Sequence, residues 1–158
     1  MNLLLLLAFM LPSQAKSNPP LANFAMADTA KIDTSRYAVL LFNLGRDGFI
    51  FNPNFKPTTI SAEEIKMIEK IISVTVTEHN KQSKNGIDNP RKYYKQIIAA
   101  TNASGQKEVW VNCFCTPYEK RHWRKGVVMI LDGGPCFFNI KINLDTKTVM
   151  SFAVNGSS

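Results

Sequence analysis

The side chains able to do chemistry are three cysteines (Cys113, Cys115, Cys136), two histidines (His79, His122) and two clusters of cations with aromatic neighbours. A cysteine nucleophile needs a base within hydrogen-bond reach, and only the two histidines offer one. His79 falls on or beside an apolar helical stripe, and His122 lies in a basic loop, so neither is placed as a base. Cys113, Cys115, Cys136 and His122 are four ligand types that zinc accepts. Structural zinc knuckles, however, hold two cysteines two to four residues apart around a tight turn, whereas Cys113 and Cys115 sit along a straight strand. No metal or cofactor is therefore expected, and no catalytic residue is assigned.

The sharpest local feature is Lys120, Arg121, His122, Trp123, Arg124 and Lys125, four fixed positive charges around an indole. Arg91, Lys92 and Lys95 with Tyr93 and Tyr94 form a second cluster, from which Arg91, Lys92 and Tyr94 are taken as binding residues. Cations interleaved with aromatic rings suit a phosphate backbone with stacked bases. They equally suit an acidic polysaccharide, an anionic membrane surface or an acidic protein. The competing reading is a solvated loop whose Trp123 folds back onto the sheet.

The elements that must position these residues follow from periodicity. Tyr37 to Leu44 is a short apolar run, either a first strand or a helical turn, and Gly45, Gly48, Pro53 and Pro57 punctuate the loop after it. Ser61 and Glu64 form a capping box, and Ile65, Ile68, Ile72, Val76 and His79 make one stripe of a helix running to about Gln82. From Tyr93 the period changes to two. Strands are expected at 93–101, 107–115, 127–131, 136–144 and 148–154, with Asp132-Gly133-Gly134 making a hairpin into the fourth. In that sequence order Cys136 lies two strands from Cys113 and Cys115, about 9 to 10 Å away, beyond the roughly 7 Å limit for a disulfide unless the strand order differs. The thiols are thus read as small buried hydrophobes, as one disulfide with a third free, or as a reactive thiol. If the helix covers one sheet face, the other face, carrying Trp110 and Phe114, is an exposed homodimer surface.

One helix followed by consecutive strands predicts an α+β domain, with the helix packed on a four- to five-stranded antiparallel sheet. This order resembles the cystatin-like and NTF2-like group of folds. The strings Val109 to Cys115, Asp132-Gly133-Gly134 with Phe137-Phe138, and Val154-Asn155-Gly156 are similar to a family of small exported bacterial proteins without assigned activity. Gln96-Ile97-Ile98-Ala99-Ala100 is similar to the cystatin inhibitory motif Q-x-V-x-G, but has Ile98 for valine and Ala100 for glycine. The resemblance implies cysteine protease inhibition, and the lost glycine argues against a tight inhibitory loop. The NTF2-like resemblance implies a small-ligand pocket between helix and sheet, and no Asp/His pair is found to make it an enzyme.

Leu3 to Leu11 is apolar and too short to span a bilayer, and Ser13 and Ala15 supply the small residues of a leader cleavage site. Residues 1–15 are read as a signal peptide, 16–36 as a flexible arm and 37–158 as one domain, exported to the periplasm or secreted, with no membrane span after cleavage. At 158 residues the chain has no room for a second domain. Its +7 charge, carried wholly outside the leader, favours an anionic partner, and export disfavours nucleic acid. The expectation is a non-enzymatic binding module.

Overall fold

A computed structural model describes residues 33–117 and 122–156. The leader, residues 16–32 of the arm, Lys120 and Arg121 lie outside these residues. The chain runs β1 (Tyr37–Leu41), a one-turn α1 (Leu44–Asp47), β2 (Lys56–Pro57), α2 (Ala62–Gln82), β3 (Tyr94–Thr101), β4 (Lys107–Phe114), β5 (Phe137–Asn143) and β6 (Thr148–Val154). This is the expected α+β fold, one long helix on one mostly antiparallel sheet. Residues 33–36 enter β1 through a 3-10 turn over Thr34–Arg36, which the Asp33 carboxylate caps at the Ser35 N–H.

The helix starts where the capping box predicts: the Glu64 N–H donates to Ser61 Oγ, and the Ser61 N–H to Glu64 Oε2. Ile68, Ile71, Ile72 and Val76 form its buried face. The β-branched stretch at its end stays helical, with the Thr75 and Thr77 hydroxyls donating to the Ile71 and Ser73 carbonyls one turn back.

The sheet order is β1-β3-β4-β5-β6, with β2 beside β3. Contrary to the all-antiparallel expectation, β1 runs parallel to β3, Tyr37 opposite Lys95 through Leu41 opposite Ala99. The cause is the connection. A 21-residue helix rises about 32 Å and returns the chain to the end from which it started, whereas the short turns at 102–106 and 144–147 reverse it, and the long 115–136 loop starts and ends at the same end of the sheet.

The strand expected at 127–131 does not form. β5 pairs directly with β4, Cys113 opposite Phe138 and Phe114 opposite Phe137. The alternating sequence Phe138-Asn139-Ile140-Lys141-Ile142 presents one apolar face to the helix, while Val127 to Leu131 is apolar on every position and crosses the outer face as a cover. The glycines expected to make a hairpin instead lead into a 3-10 turn over Gly134–Cys136. Gly133 has φ +90°, and a β-carbon there would lie 2.6 Å from the Phe137 ring, so only glycine fits. Because β4 and β5 are neighbours, Cys115 and Cys136 form a disulfide with Cα atoms 5.1 Å apart, and the two-strand separation expected for Cys136 is overturned.

The sheet carries a core on each face. Val109, Val111, Cys113, Phe138, Ile140 and Ile142 pack with α2. Trp110 and Phe114, expected on an open dimer surface, are buried on the other face beneath Phe42, Phe51 and Trp123. The chain covers that face itself, through residues 42–55 and 122–131.

Candidate functional site

The two basic clusters converge at one end of the molecule. Because β1 and β3 are parallel, the start of β1 lies beside the start of β3, and the 122–126 loop folds onto the same end. Arg36 Nη1 donates to the Lys92 carbonyl (2.6 Å), and its guanidinium lies 5.0 Å over the Tyr94 ring. Arg124 Nη1 donates to the Tyr37 carbonyl (2.7 Å) and Nη2 to that of Ser35, with its guanidinium 4.4 Å over Trp123. Both guanidiniums are thus oriented by backbone carbonyls and aromatic faces, which makes them fixed charges and not floating ones. Asp33, 3.2 Å from Arg36 Nε, is the acid ion-paired there.

The expected binding residues divide accordingly. Arg91, Lys92, His122, Arg124 and Lys125 are exposed at this end. Tyr94 is half-buried, stacked on Phe114 at 6.1 Å. Trp123 is buried against Tyr94 and Phe114, the fold-back alternative to a surface indole. Arg36, which sequence reasoning left in the arm, joins the cluster; its adjacency to Tyr37 is a signal only once β1 is known to be parallel to β3.

Lys95 and Tyr93 leave the surface cluster. Lys95 is 0% exposed on the helix side of β3, its Nζ donating to the carbonyls of Pro90 (2.8 Å) and Tyr93 (3.1 Å) and lying 3.2 Å from Glu69 Oε1. Two carbonyls accept its hydrogen bonds and the Glu69 carboxylate, which pairs with it by charge and not by a hydrogen bond, balances the buried ammonium, so it acts as an anchor between helix and sheet. Burial, and then the Glu69 carboxylate, push the neighbouring Tyr37 phenol well above its ordinary value.

Gln96 is fully buried. Its Nε2 donates to the carbonyls of Trp123 (2.5 Å) and Gly126 (2.6 Å), and its Oε1 accepts from the Val128 N–H (2.8 Å) and Asn112 Nδ2 (3.1 Å). Asn112 Nδ2 also donates to the Val128 carbonyl (2.7 Å). Side-chain amides of β3 and β4 thereby serve Val128 as a neighbouring strand's backbone would. Ile97, Ile98, Ala99 and Ala100 are also buried, in a strand paired on both sides.

The sulfur and imidazole groups stand apart. Cys115 and Cys136 bond each other. Cys113 is free and buried, and desolvation raises its thiol far above the ordinary range despite Lys95 nearby, so the thiolate is suppressed. His79 packs its ring 5.3 Å from Phe152. Among the described residues, no three of His, Cys, Asp and Glu group to hold a metal ion.

The chain matches no family model, no curated protein and no solved structure.

Proposed function

We propose that this protein is an exported, non-enzymatic binding module that takes an anionic partner at its basic end. One observation carries the reading: β1, β3 and the 122–126 loop, distant in sequence, bring Arg36, Lys92, Arg124 and Lys125 to one end of the domain, with two guanidiniums held in place. Oriented charges lose less freedom on binding than solvated ones. The disulfide is compatible with an oxidising compartment and hence with export, as is the leader-like N-terminus. Among the described residues, no helix is long and apolar enough to cross a membrane. The resemblance to small exported bacterial proteins is kept within this reading. A protease-inhibitory role for Gln96 to Ala100 needs an exposed wedge, and the geometry gives it no support.

Lys92 and Lys125 are the positions for a test, because both are exposed and their side chains brace nothing described. Reversing both to glutamate is expected to lower affinity for an anionic probe at least tenfold, and wild-type binding should weaken steeply with salt. Heparin, poly-glutamate and phosphatidylglycerol vesicles, compared by retention and co-sedimentation, separate polysaccharide, protein and membrane partners. Equal binding by the double variant, or salt-independent binding, removes the proposal.

A further inference from the structure

A second candidate lies on the outer sheet face, in a groove whose lining shares none of Arg36, Lys92, Arg124 and Lys125 with the basic cluster. A groove of about 300 Å³ opens over β4, β5 and β6, between the Phe49-Ile50 loop and the Val128 to Ile130 segment. That size is at the lower end of ordinary ligand pockets. Its floor is rigid sheet, with Asn112 directly opposite Asn139, and Trp110 and Ser151 flanking Lys141 in the next row. At a strand spacing of about 4.8 Å each row of three residues spans roughly 10 Å.

The walls are held in place. Val128 is fixed by Gln96 and Asn112, and Asn155 Nδ2 donates to the Ile130 (2.5 Å) and Asp132 (3.0 Å) carbonyls. Phe49 sets its ring edge-on to Trp110, centroids 6.1 Å apart, yet is 60% exposed at the rim.

The lining offers aromatic surface and polar groups that both donate and accept. Asn139 and Ser151 use their side chains in no hydrogen bond with a described residue, and Asn112 keeps its Oδ1 open, since both of its bonds are donated by Nδ2. Lys141, the cation of the floor, is committed: its Nζ lies 3.1 Å from Glu108 Oε2 and over the Phe51 and Phe55 rings. On a +7 chain, this is a groove in which no described lining residue carries a free charge.

We infer that the groove binds a neutral saccharide. A sugar ring has an apolar C–H face that suits the exposed Phe49 ring, which Trp110 backs edge-on, and hydroxyls that donate and accept as Asn112, Asn139 and Ser151 do. An anion would find no free cation among the described lining residues, and a purely apolar ligand would leave the open amides unpaired.

The test is nitrogen-resolved NMR on the full mature chain, titrated separately with cellobiose, maltose and N,N′-diacetylchitobiose. At least one should give saturable shifts at the Trp110 indole N–H and the Asn112 and Asn139 side-chain amides. Asn139→Ala and Phe49→Ala should each weaken that binding about tenfold, with Lys92→Glu leaving it unchanged. Phe49 is exposed, so its variant keeps the fold, and thermal unfolding checks both. The inference is overturned if none of the three sugars shifts these signals, if the shifts fall at the basic end, or if folded N139A and F49A bind as wild type. It is also overturned if the neutral probe N-acetyl-phenylalaninamide saturates the groove and the sugars do not.

Discussion

Gln96 shows how one buried residue governs a whole surface. Its amide meets two carbonyls, one N–H and one side-chain amide, the full capacity of the group. Gln96→Leu would keep the volume and orphan the Trp123 and Gly126 carbonyls and the Val128 N–H. We expect it to cost about 3 kcal/mol in urea unfolding, since each buried unpaired group costs roughly 1 to 3 kcal/mol and some regain water. Lys95 makes the contrasting case, a lysine that reads as part of a surface cluster yet is closed among Pro90, Tyr93 and Glu69. Its inward side of β3 is legible from alternation with Ile97 and Ala99, but a charge at an inward position is read as an exception until its partners are seen.

At the scale of elements, two ties matter. Lys107 at the start of β4 reaches Glu64 in the first turn of α2 at 2.6 Å. Partial burial raises the Glu64 carboxyl, but the Lys107 ammonium and the Ser61 N–H outweigh it and hold it below the ordinary value. A carboxyl depressed in the folded state stabilises above its unfolded pKa of about 4.3, and that contribution is lost as pH falls through the lower folded value. Lys107→Met should therefore reduce stability at neutral pH and flatten its decline below about pH 4, as read by chemical unfolding along a pH series. The second tie is the Cys115–Cys136 disulfide, which closes the loop carrying Trp123, Arg124 and the groove wall. Cys115→Ser with Cys136→Ser should cost about 3 kcal/mol by the loop-closure relation for 21 residues of separation. Tryptophan emission, summed over Trp110 and Trp123, should shift to the red as the cover over Trp123 loosens, as read by steady-state fluorescence.

For the whole molecule, the helix side of the sheet is a filled core, and the outer side is divided between a buried aromatic cluster and an open groove. Exposed apolar groups lining that groove, Phe49 and Met129, are unusual for a face otherwise covered by its own chain. Charge is distributed differently, with arginines and lysines gathered where β1 and β3 begin. Export has its own prediction. The mature protein, denatured and alkylated without reduction, should have an intact mass beginning at Lys16 and carrying one label, on Cys113. Three labels with Met1 retained would place the chain in a reducing compartment.

By itself the sequence determined the α+β class, the helix with its cap, and four of the strands, because these rest on local periodicity and on reciprocal bonds three residues apart. The faces of β4 and β5 were legible for the same reason: alternation is a property of the strand alone. Which strands are neighbours was decided only by tertiary structure. Val127 to Leu131 has every local mark of a strand, but the ladder of β4 is filled by β5, and the amides of Gln96 and Asn112 give Val128 its bonds instead. That choice brought Cys115 to Cys136 and left the groove beside the cover. The parallel entry of β1 joined two basic clusters some thirty residues apart. Local sequence carries propensity and period, whereas the pairing of distant segments is set by competition among them for the same backbone groups and the same apolar face.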